Sequence, residues 1–244
     1  MGSREGARWL LIAALGFVLG QVAALAVVTL VAGALGHGAS LHAYSTMASP
    51  PEWYVLSSLL GLWCGFLGAA TFAARSNGGE GLAAVLGLRL ARTDLRYLVA
   101  GFIAQIAVAL MYLPFQDHIS HLDAPTKRLV GSSHGVGALV ILVATGVLAP
   151  VVEEVFFRGL VLRALVAVAA RGRAVVGGIG AVACVLLDGA IFAAAHFEAV
   201  QFAGLMALGC LLAVLTLREQ RLGPAVVTHV AFNLTALAFA FGAR

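Results

Sequence analysis

The chain has 244 residues, of which 61% are hydrophobic and only 11% charged, and its mean hydropathy is +1.01. A soluble domain is usually about 45–50% apolar and about 25% charged, so this excess of apolar side chains excludes an ordinary soluble fold. The net charge of +4 comes from basic residues scattered between apolar runs, a pattern that predicts no nucleic-acid partner. We therefore expect residues 1–244 to form a single membrane domain surrounded by membrane lipid.

Seven apolar segments are long enough to cross a membrane. A spanning helix needs about 20 mostly apolar residues, and a chain in lipid must satisfy its own backbone hydrogen bonds. The sequence shows no alternating pattern of the kind that strands have. It therefore predicts an all-α fold, a polytopic transmembrane helical bundle, with spans near residues 9–35, 53–74, 97–115, 136–169, 175–197, 200–217 and 222–242.

Two glycines, Gly16 and Gly20, stand four residues apart in the first span. Small residues at this spacing allow two membrane helices to approach closely, so the pair is a candidate helix contact. Such pairs also arise by chance in glycine-rich membrane proteins, and both interpretations stay open at this point.

The fourth apolar segment fits one span poorly. Residues 136–169 would form a helix of about 50 Å at 1.5 Å per residue, against a hydrocarbon core of about 30 Å. Pro150 lies inside it, and proline is expected to kink or break a helix. An eighth span, or a re-entrant piece that ends near Pro150, is the alternative, so the prediction is seven or eight spans.

The basic residues favour alternate loops. Cytoplasmic loops carry an excess of lysine and arginine, so the distribution predicts a cytoplasmic N-terminus and, with seven spans, an external C-terminus. Lys127 is the one lysine in a chain rich in alanine, valine, leucine and glycine, which is typical of a GC-rich bacterial source and predicts a bacterial cell membrane. The arginines that carry the argument are Arg4, Arg8, Arg75, Arg89, Arg92, Arg96, Arg171, Arg173, Arg218 and Arg221.

A small set of polar residues lies inside the apolar segments, all in the second half of the chain. A charged side chain at the membrane centre costs about 2.5–3.5 kcal/mol on insertion scales, so residues that remain there are candidates for function. The set is Glu153, Glu154, Arg158, Asp188, His196, His229 and Asn233.

Helical spacing assigns partners within this set. Residues four apart share a helix face, so Glu154 and Arg158 are expected to form a charge-assisted pair. Glu153 points about 100° away from Glu154 and has no local partner. By the same rule His229 shares a face with Asn233.

The fifth span repeats this spacing, with Phe192 four residues before His196. Asp188 lies a further four residues back, and we expect it to hydrogen-bond another helix. A role as a supporting partner of His196 is the alternative.

The chemistry of these groups suits hydrolysis of an amide bond. A free carboxylate shielded from bulk water can act as general base on a water molecule. Two neutral imidazoles with a carboxylate can hold Zn²⁺ and leave a position open for that water. An amide can donate a hydrogen bond to the oxyanion of a tetrahedral intermediate. No HExxH sequence occurs, so the chemistry of soluble zincins is not implied.

Three short motifs resemble those of a known family. They are EExxxR at Glu153, Glu154 and Arg158, FxxxH ending at His196, and HxxxN from His229 to Asn233, within a wider AP..EE..FRG context. In this order they resemble the CAAX protease and bacteriocin-processing enzyme family, also called the Abi family. The resemblance covers residues 136–242 as a catalytic core, and residues 1–135 match only as accessory spans.

This resemblance implies an intramembrane endopeptidase that cleaves a peptide, or a peptide bearing a lipid, by water attack. It assigns water activation to Glu153 and places His196 and His229 on that water or on a metal. It gives Glu154 and Arg158 the task of bracing the site, and Asn233 that of stabilising the oxyanion. The cofactor is then Zn²⁺ or another divalent metal held by the two histidines, or none if glutamate alone activates the water.

Two other functions compete with the enzyme. A membrane scaffold or bacteriocin-immunity protein would use the same motif residues only for packing, but it has no need to keep Glu153 or Asn233. An ion or proton pathway is disfavoured because the polar residues crowd into one half of the chain, whereas transporters show corresponding features in two halves.

Overall fold

The computed structural model describes the chain as helices and short connectors. Within the described ranges no β-strand is formed, which confirms the predicted all-α fold. The ranges described are residues 1–37, 41–47, 49–76, 81–115, 126–127, 130–131, 133–170 and 178–242. Arg171 and Arg173, which entered the topology argument, lie outside them.

Seven long helices correspond one to one with the predicted spans. Short helices at Leu41–Thr46 and Leu82–Leu86, and 3₁₀ turns at Arg92–Arg96 and Leu113–Phe115, complete the described elements. The long helices are α1 (Ser3–Ala34), α2 (Glu52–Arg75), α3 (Tyr97–Tyr112), α4 (Gly135–Ala170), α5 (Ile179–Ala194), α6 (Phe202–Glu219) and α7 (Gly223–Gly242).

Six of these helical segments have the length and hydropathy of a membrane span, taking α3 together with its flanking 3₁₀ turns. The exception is α5, whose 16 residues extend about 24 Å. Large apolar side chains point outward from the bundle, with Leu30 73%, Val136 78% and Ile179 91% exposed, as lipid-facing positions are. The chain is therefore a multi-pass membrane protein. The cytoplasmic N-terminus and the bacterial source stay predictions.

Of the predicted kink or break at Pro150, the break is wrong, because α4 continues as one helix of 36 residues. The chain widens into a π-helical turn at Ala144–Leu148 directly before the proline, and a second π-helical stretch follows at Val155–Leu162. In such turns each N–H bonds the carbonyl five residues back, which relieves the collision of a proline ring with the carbonyl four residues back. No eighth span or re-entrant piece therefore forms at Pro150.

Helix α4 is the centre of the bundle and contacts α1, α2, α5, α6 and α7. The helices of the first half of the chain pack against those of the second half. Helices α1 and α2 pack on α4, and α3 packs along α7. Four phenylalanines join the layers: Phe66 of α2 stacks on Phe156 at 4.0 Å between ring centroids, and Phe157 meets Phe192 of α5 at 5.2 Å.

The two glycines of the first span form a helix contact. A Cβ atom on Gly16 would meet Ala69 of α2, and one on Gly20 would meet the carbonyl oxygen of Leu62 at 3.0 Å. From the other side, a Cβ atom on Gly65 would collide with the backbone of Gly20. The small-residue interpretation is thus confirmed, and the two backbones approach too closely for any side chain at the crossing.

We expect Gly65→Ala to destabilise the protein by about 1–3 kcal/mol, the usual cost of an added methyl group that forces backbone to move. Gly68→Ala, one turn along the same helix, is the matched control because a Cβ atom there meets nothing within 4 Å. Unfolding of both variants in detergent would measure the difference. Equal stability of the two variants would contradict the close crossing.

Candidate active site

The two adjacent glutamates of α4 lie in different surroundings. Glu154 is completely buried, whereas the side chain of Glu153 is 17% exposed. The 100° step between neighbouring helical residues produces this division, as the spacing argument predicts. Glu154 therefore lies in the interior of the bundle, whereas part of the Glu153 side chain is accessible.

Glu154 is the centre of a buried network. Its Oε1 accepts a hydrogen bond from Nη1 of Arg158 at 3.0 Å and a second from Nδ1 of His229 at 2.8 Å. Arg158 also donates through Nη2 to the carbonyl oxygen of Gly209 in α6 at 3.0 Å. The expected pair of Glu154 and Arg158 is therefore present, and it ties α4 to α6 and α7.

Asp188 of α5 joins the same network. It is fully buried, and its Oδ2 lies 3.4 Å from Nε of Arg158. This is an ion pair rather than a hydrogen bond, and neither Asp188 oxygen has a hydrogen-bond partner among the described residues. Asp188 thus contacts another helix, but through an ion pair and not through the expected hydrogen bond. In the sequence, the position of Asp188 four residues before Phe192 predicts that both residues lie on the same face of α5.

Phe192 lies between the charged network and the two histidines. Its ring is 4.5 Å from the Arg158 guanidinium carbon and meets the His196 and His229 rings edge-on, at centroid distances of 4.7 and 5.5 Å. The first residue of the FxxxH motif therefore fills the space between the groups. Both histidines therefore contact the same ring.

His196 lies just past the end of α5, in a turn. Its Nδ1 is 2.8 Å from the carbonyl oxygen of Phe192. Because a carbonyl only accepts, Nδ1 carries the proton and Nε2 keeps its lone pair. The next residue, Phe197, has φ of +55°, a left-handed conformation that costs a non-glycine residue energy and often marks functional sites. Sequence reasoning missed Phe197, and no sequence signal identifies it.

His229 is oriented by the buried network. Its Nδ1 lies 2.8 Å from Oε1 of Glu154, so a neutral ring that donates there keeps its lone pair on Nε2. That Nε2 lies 3.7 Å from Oε2 of Glu153. That separation is too long for a hydrogen bond. Glu153 and His229 thus lie close together without a direct hydrogen bond between them.

Asn233 follows His229 by one turn of α7 and contacts α4 at a different level. Its Nδ2 donates to the carbonyl oxygen of Thr145 at 3.0 Å, two helical turns before Glu153. The structure therefore joins Glu154, Arg158 and His229 by hydrogen bonds, places Glu153 3.7 Å from His229 and brings His196 against Phe192. Asn233 is anchored beside them, on a backbone partner that sequence reasoning did not identify.

An open apolar groove of about 490 Å³ lies between α2 and α4. It adjoins the π-helical turn that contains Thr145, on the same helix that carries Glu153. The groove has almost no polar lining, and its walls are Leu56, Leu60, Trp63, Leu139, Val140, Val143, Ala144 and Leu148.

The predicted metal ligands are compatible with a metal only in part. His196 and His229 each present an Nε2 lone pair, which is the atom a metal would take. A catalytic zinc takes three protein ligands, and the described residues contain no group of three or more histidines, cysteines or carboxylates that is placed to hold an ion.

Comparison with known protein families gives a match that includes every residue of this site. The family model for the type II CAAX prenyl endopeptidase, Rce1-like, matches residues 135–235. Neither the comparison with curated proteins nor the comparison with solved structures finds a significant match. The matched region begins with α4 and includes most of α7, so it is the part of the bundle that builds the site. Residues 135–235 therefore match the Rce1-like, type II CAAX prenyl endopeptidase domain, the same family that the three motifs resemble.

Proposed function

We propose that this protein is an intramembrane endopeptidase in which Glu153 activates the attacking water. The observation that supports the proposal most directly is the position of the Glu153 carboxylate, which lies 3.7 Å from Nε2 of His229 without a hydrogen bond to it. Glu153 forms no hydrogen bond with a described residue, whereas Glu154 is occupied by Arg158 and His229. Glu153 is thus the carboxylate that is available as a general base.

The proposed reaction uses these groups in two steps. The Glu153 carboxylate takes a proton from water, and the water oxygen forms a bond to the carbonyl carbon of the peptide. The tetrahedral intermediate then collapses as its C–N bond breaks, and the protonated Glu153 returns the proton to the leaving amine. The second hydrogen of the water is shared between the Nε2 lone pairs of His196 and His229, and Glu154 with Arg158 fixes the orientation of His229.

Asn233 remains the proposed donor to the oxyanion. A carboxamide has two N–H groups, and Thr145 takes one of them. The other N–H is the group that we assign to the developing negative charge, where such donors stabilise the transition state.

The substrate that suits these surroundings is a peptide that carries a lipid. The groove between α2 and α4 is apolar and open, and it lies in a segment that spans the membrane. A hydrocarbon chain in this groove would bring the attached peptide onto α4, the helix of Glu153.

Cleavage and metal content of the purified full chain in lipid vesicles test the proposal together. The substrates are matched peptides with and without a prenyl group, with products identified by mass spectrometry. We expect the wild type to cleave, and to prefer the prenylated peptides. His196→Ala and His229→Ala should each lower the rate by about 10²-fold or more, the usual contribution of a group that assists proton transfer. His134→Ala is the control, since that histidine is exposed.

The same samples decide between the mechanisms. Metal content that stays well below one ion per chain, and does not differ between wild type and variants, agrees with glutamate-activated water. One zinc per chain that disappears with both histidines would replace this mechanism by a metallopeptidase. No cleavage of any peptide by the wild type would favour the scaffold or immunity protein instead.

A further inference from the structure

The π-helical turn before Pro150 leaves one backbone carbonyl without its usual donor. In this turn the N–H of Ala149 bonds the carbonyl oxygen of Ala144, five residues back. The next bond in the same pattern would run from residue 150 to the carbonyl oxygen of Thr145. Residue 150 is proline and has no N–H, so the Thr145 carbonyl loses its donor at a position where the residue is only 6% exposed.

Asn233 supplies a donor to this carbonyl from another helix. Its Nδ2 lies 3.0 Å from the Thr145 oxygen. The Thr145 hydroxyl cannot do so, since it donates to the carbonyl oxygen of Ile141 at 2.7 Å. A buried carbonyl without a donor is costly, and the side chain of Asn233 removes that cost.

The packing of α7 supports this contact. Gly146, next to Thr145, has no side chain, and a Cβ atom there would meet Cδ2 of Leu234 at 2.6 Å and Cδ1 of Leu237 at 3.2 Å. Leu234 is the residue after Asn233. The widened turn of α4 and the middle of α7 therefore pack closely, because Gly146 leaves room for the leucines that follow Asn233 along α7.

We propose that Asn233 is a positioning residue that replaces the N–H missing from Pro150 and so holds the widened turn in front of Glu153 and Glu154. Adding one residue to a helical turn rotates all later residues by about 100° about the axis. Holding the turn therefore determines the direction in which Glu153 points. The hydrogen-bond replacement stands by itself, whereas its effect on catalysis rests on the proposed function.

A double-mutant cycle with Pro150→Ala tests the replacement. Alanine at position 150 restores an N–H that can reach the Thr145 carbonyl, so Asn233 should become dispensable for stability. We expect Asn233→Ala to lower the melting temperature of the detergent-solubilised chain by about 5 °C, given the usual cost of a buried unsatisfied group. In the Pro150→Ala background the loss should fall to less than half. The same loss in both backgrounds would overturn the inference.

Thr235→Ala is the matched control for this cycle. Thr235 lies two residues along α7, and its hydroxyl donates to the carbonyl of its own helix at Ala231. Any effect of its removal should be the same with proline or alanine at position 150. A Thr235 effect that depends on residue 150 would mean that Pro150→Ala changes the whole of α7, and it would overturn a specific role for Asn233.

Cleavage rates in the same four proteins test the positioning role. The fall in kcat caused by Asn233→Ala should be at least tenfold smaller when Pro150→Ala is present, because the turn no longer needs the amide. Falls that simply multiply in the double variant would overturn positioning. If the wild type cleaves nothing, the proposed function fails, but the stability cycle still decides whether Asn233 replaces the missing N–H.

Discussion

Glu153→Gln is expected to lower the cleavage rate by about 10²–10⁴-fold while the melting temperature stays within a degree or two of the wild type. Glutamine keeps the size of the side chain but cannot take a proton from water, and loss of a general base usually has this magnitude. Stability is spared because Glu153 forms no hydrogen bond with a described residue and is partly exposed. The measurement is peptide cleavage in vesicles, with unfolding followed on the same preparation.

Glu154→Gln is the matched comparison, since it makes the same change at the next residue. Glu154 is fully buried and accepts hydrogen bonds from Arg158 and His229, so we expect a clear loss of stability with this variant. The expected contrast is that Glu153→Gln lowers the cleavage rate with little change in stability, whereas Glu154→Gln lowers the stability. A Glu153→Gln protein that cleaves at the wild-type rate would remove Glu153 from the mechanism.

Arg158→Met is expected to lower the free energy of unfolding by about 3–5 kcal/mol, the usual result of removing one partner from a buried ion pair. Arg158 is completely buried and serves three groups: the Glu154 carboxylate, the Asp188 carboxylate and the Gly209 carbonyl. Methionine fills part of the volume but leaves two carboxylates in the interior without their cation. Chemical unfolding in detergent, compared with wild type, measures the loss.

Two further variants make this result specific. Arg218→Met changes an exposed arginine in the last turn of α6 and should leave stability almost unchanged. Arg158→Met combined with Glu154→Leu and Asp188→Leu should recover part of the loss, because apolar replacements of a whole buried charge cluster are often tolerated. Equal stability of Arg158→Met and Arg218→Met would show that the buried network does not contribute as described.

Much of the site follows from local spacing. The pair of Glu154 and Arg158 forms because residues four apart on a helix are neighbours whatever the rest of the protein does. The same rule puts Glu153 outside that pair and puts His229 and Asn233 on one face of α7. Whether these groups meet depends on helices that are distant in sequence. The pairing of Asp188 with Arg158, and the position of both histidines around Phe192, are therefore results of packing between α4, α5 and α7.

Composition was enough to establish a bundle of membrane helices. A chain with 61% hydrophobic and 11% charged residues cannot bury all of its apolar surface inside a water-soluble fold. The lengths of the apolar runs then located seven long helices, and every end except the start of α1 lies within a few residues of its predicted position. Pro150 shows where such reasoning stops. Its missing N–H is a local property that predicts a break, but α4 continues because the turn widens and α7 provides Asn233 as a donor. That donor lies 88 residues from Thr145 in the chain, so only the packed structure could reveal it.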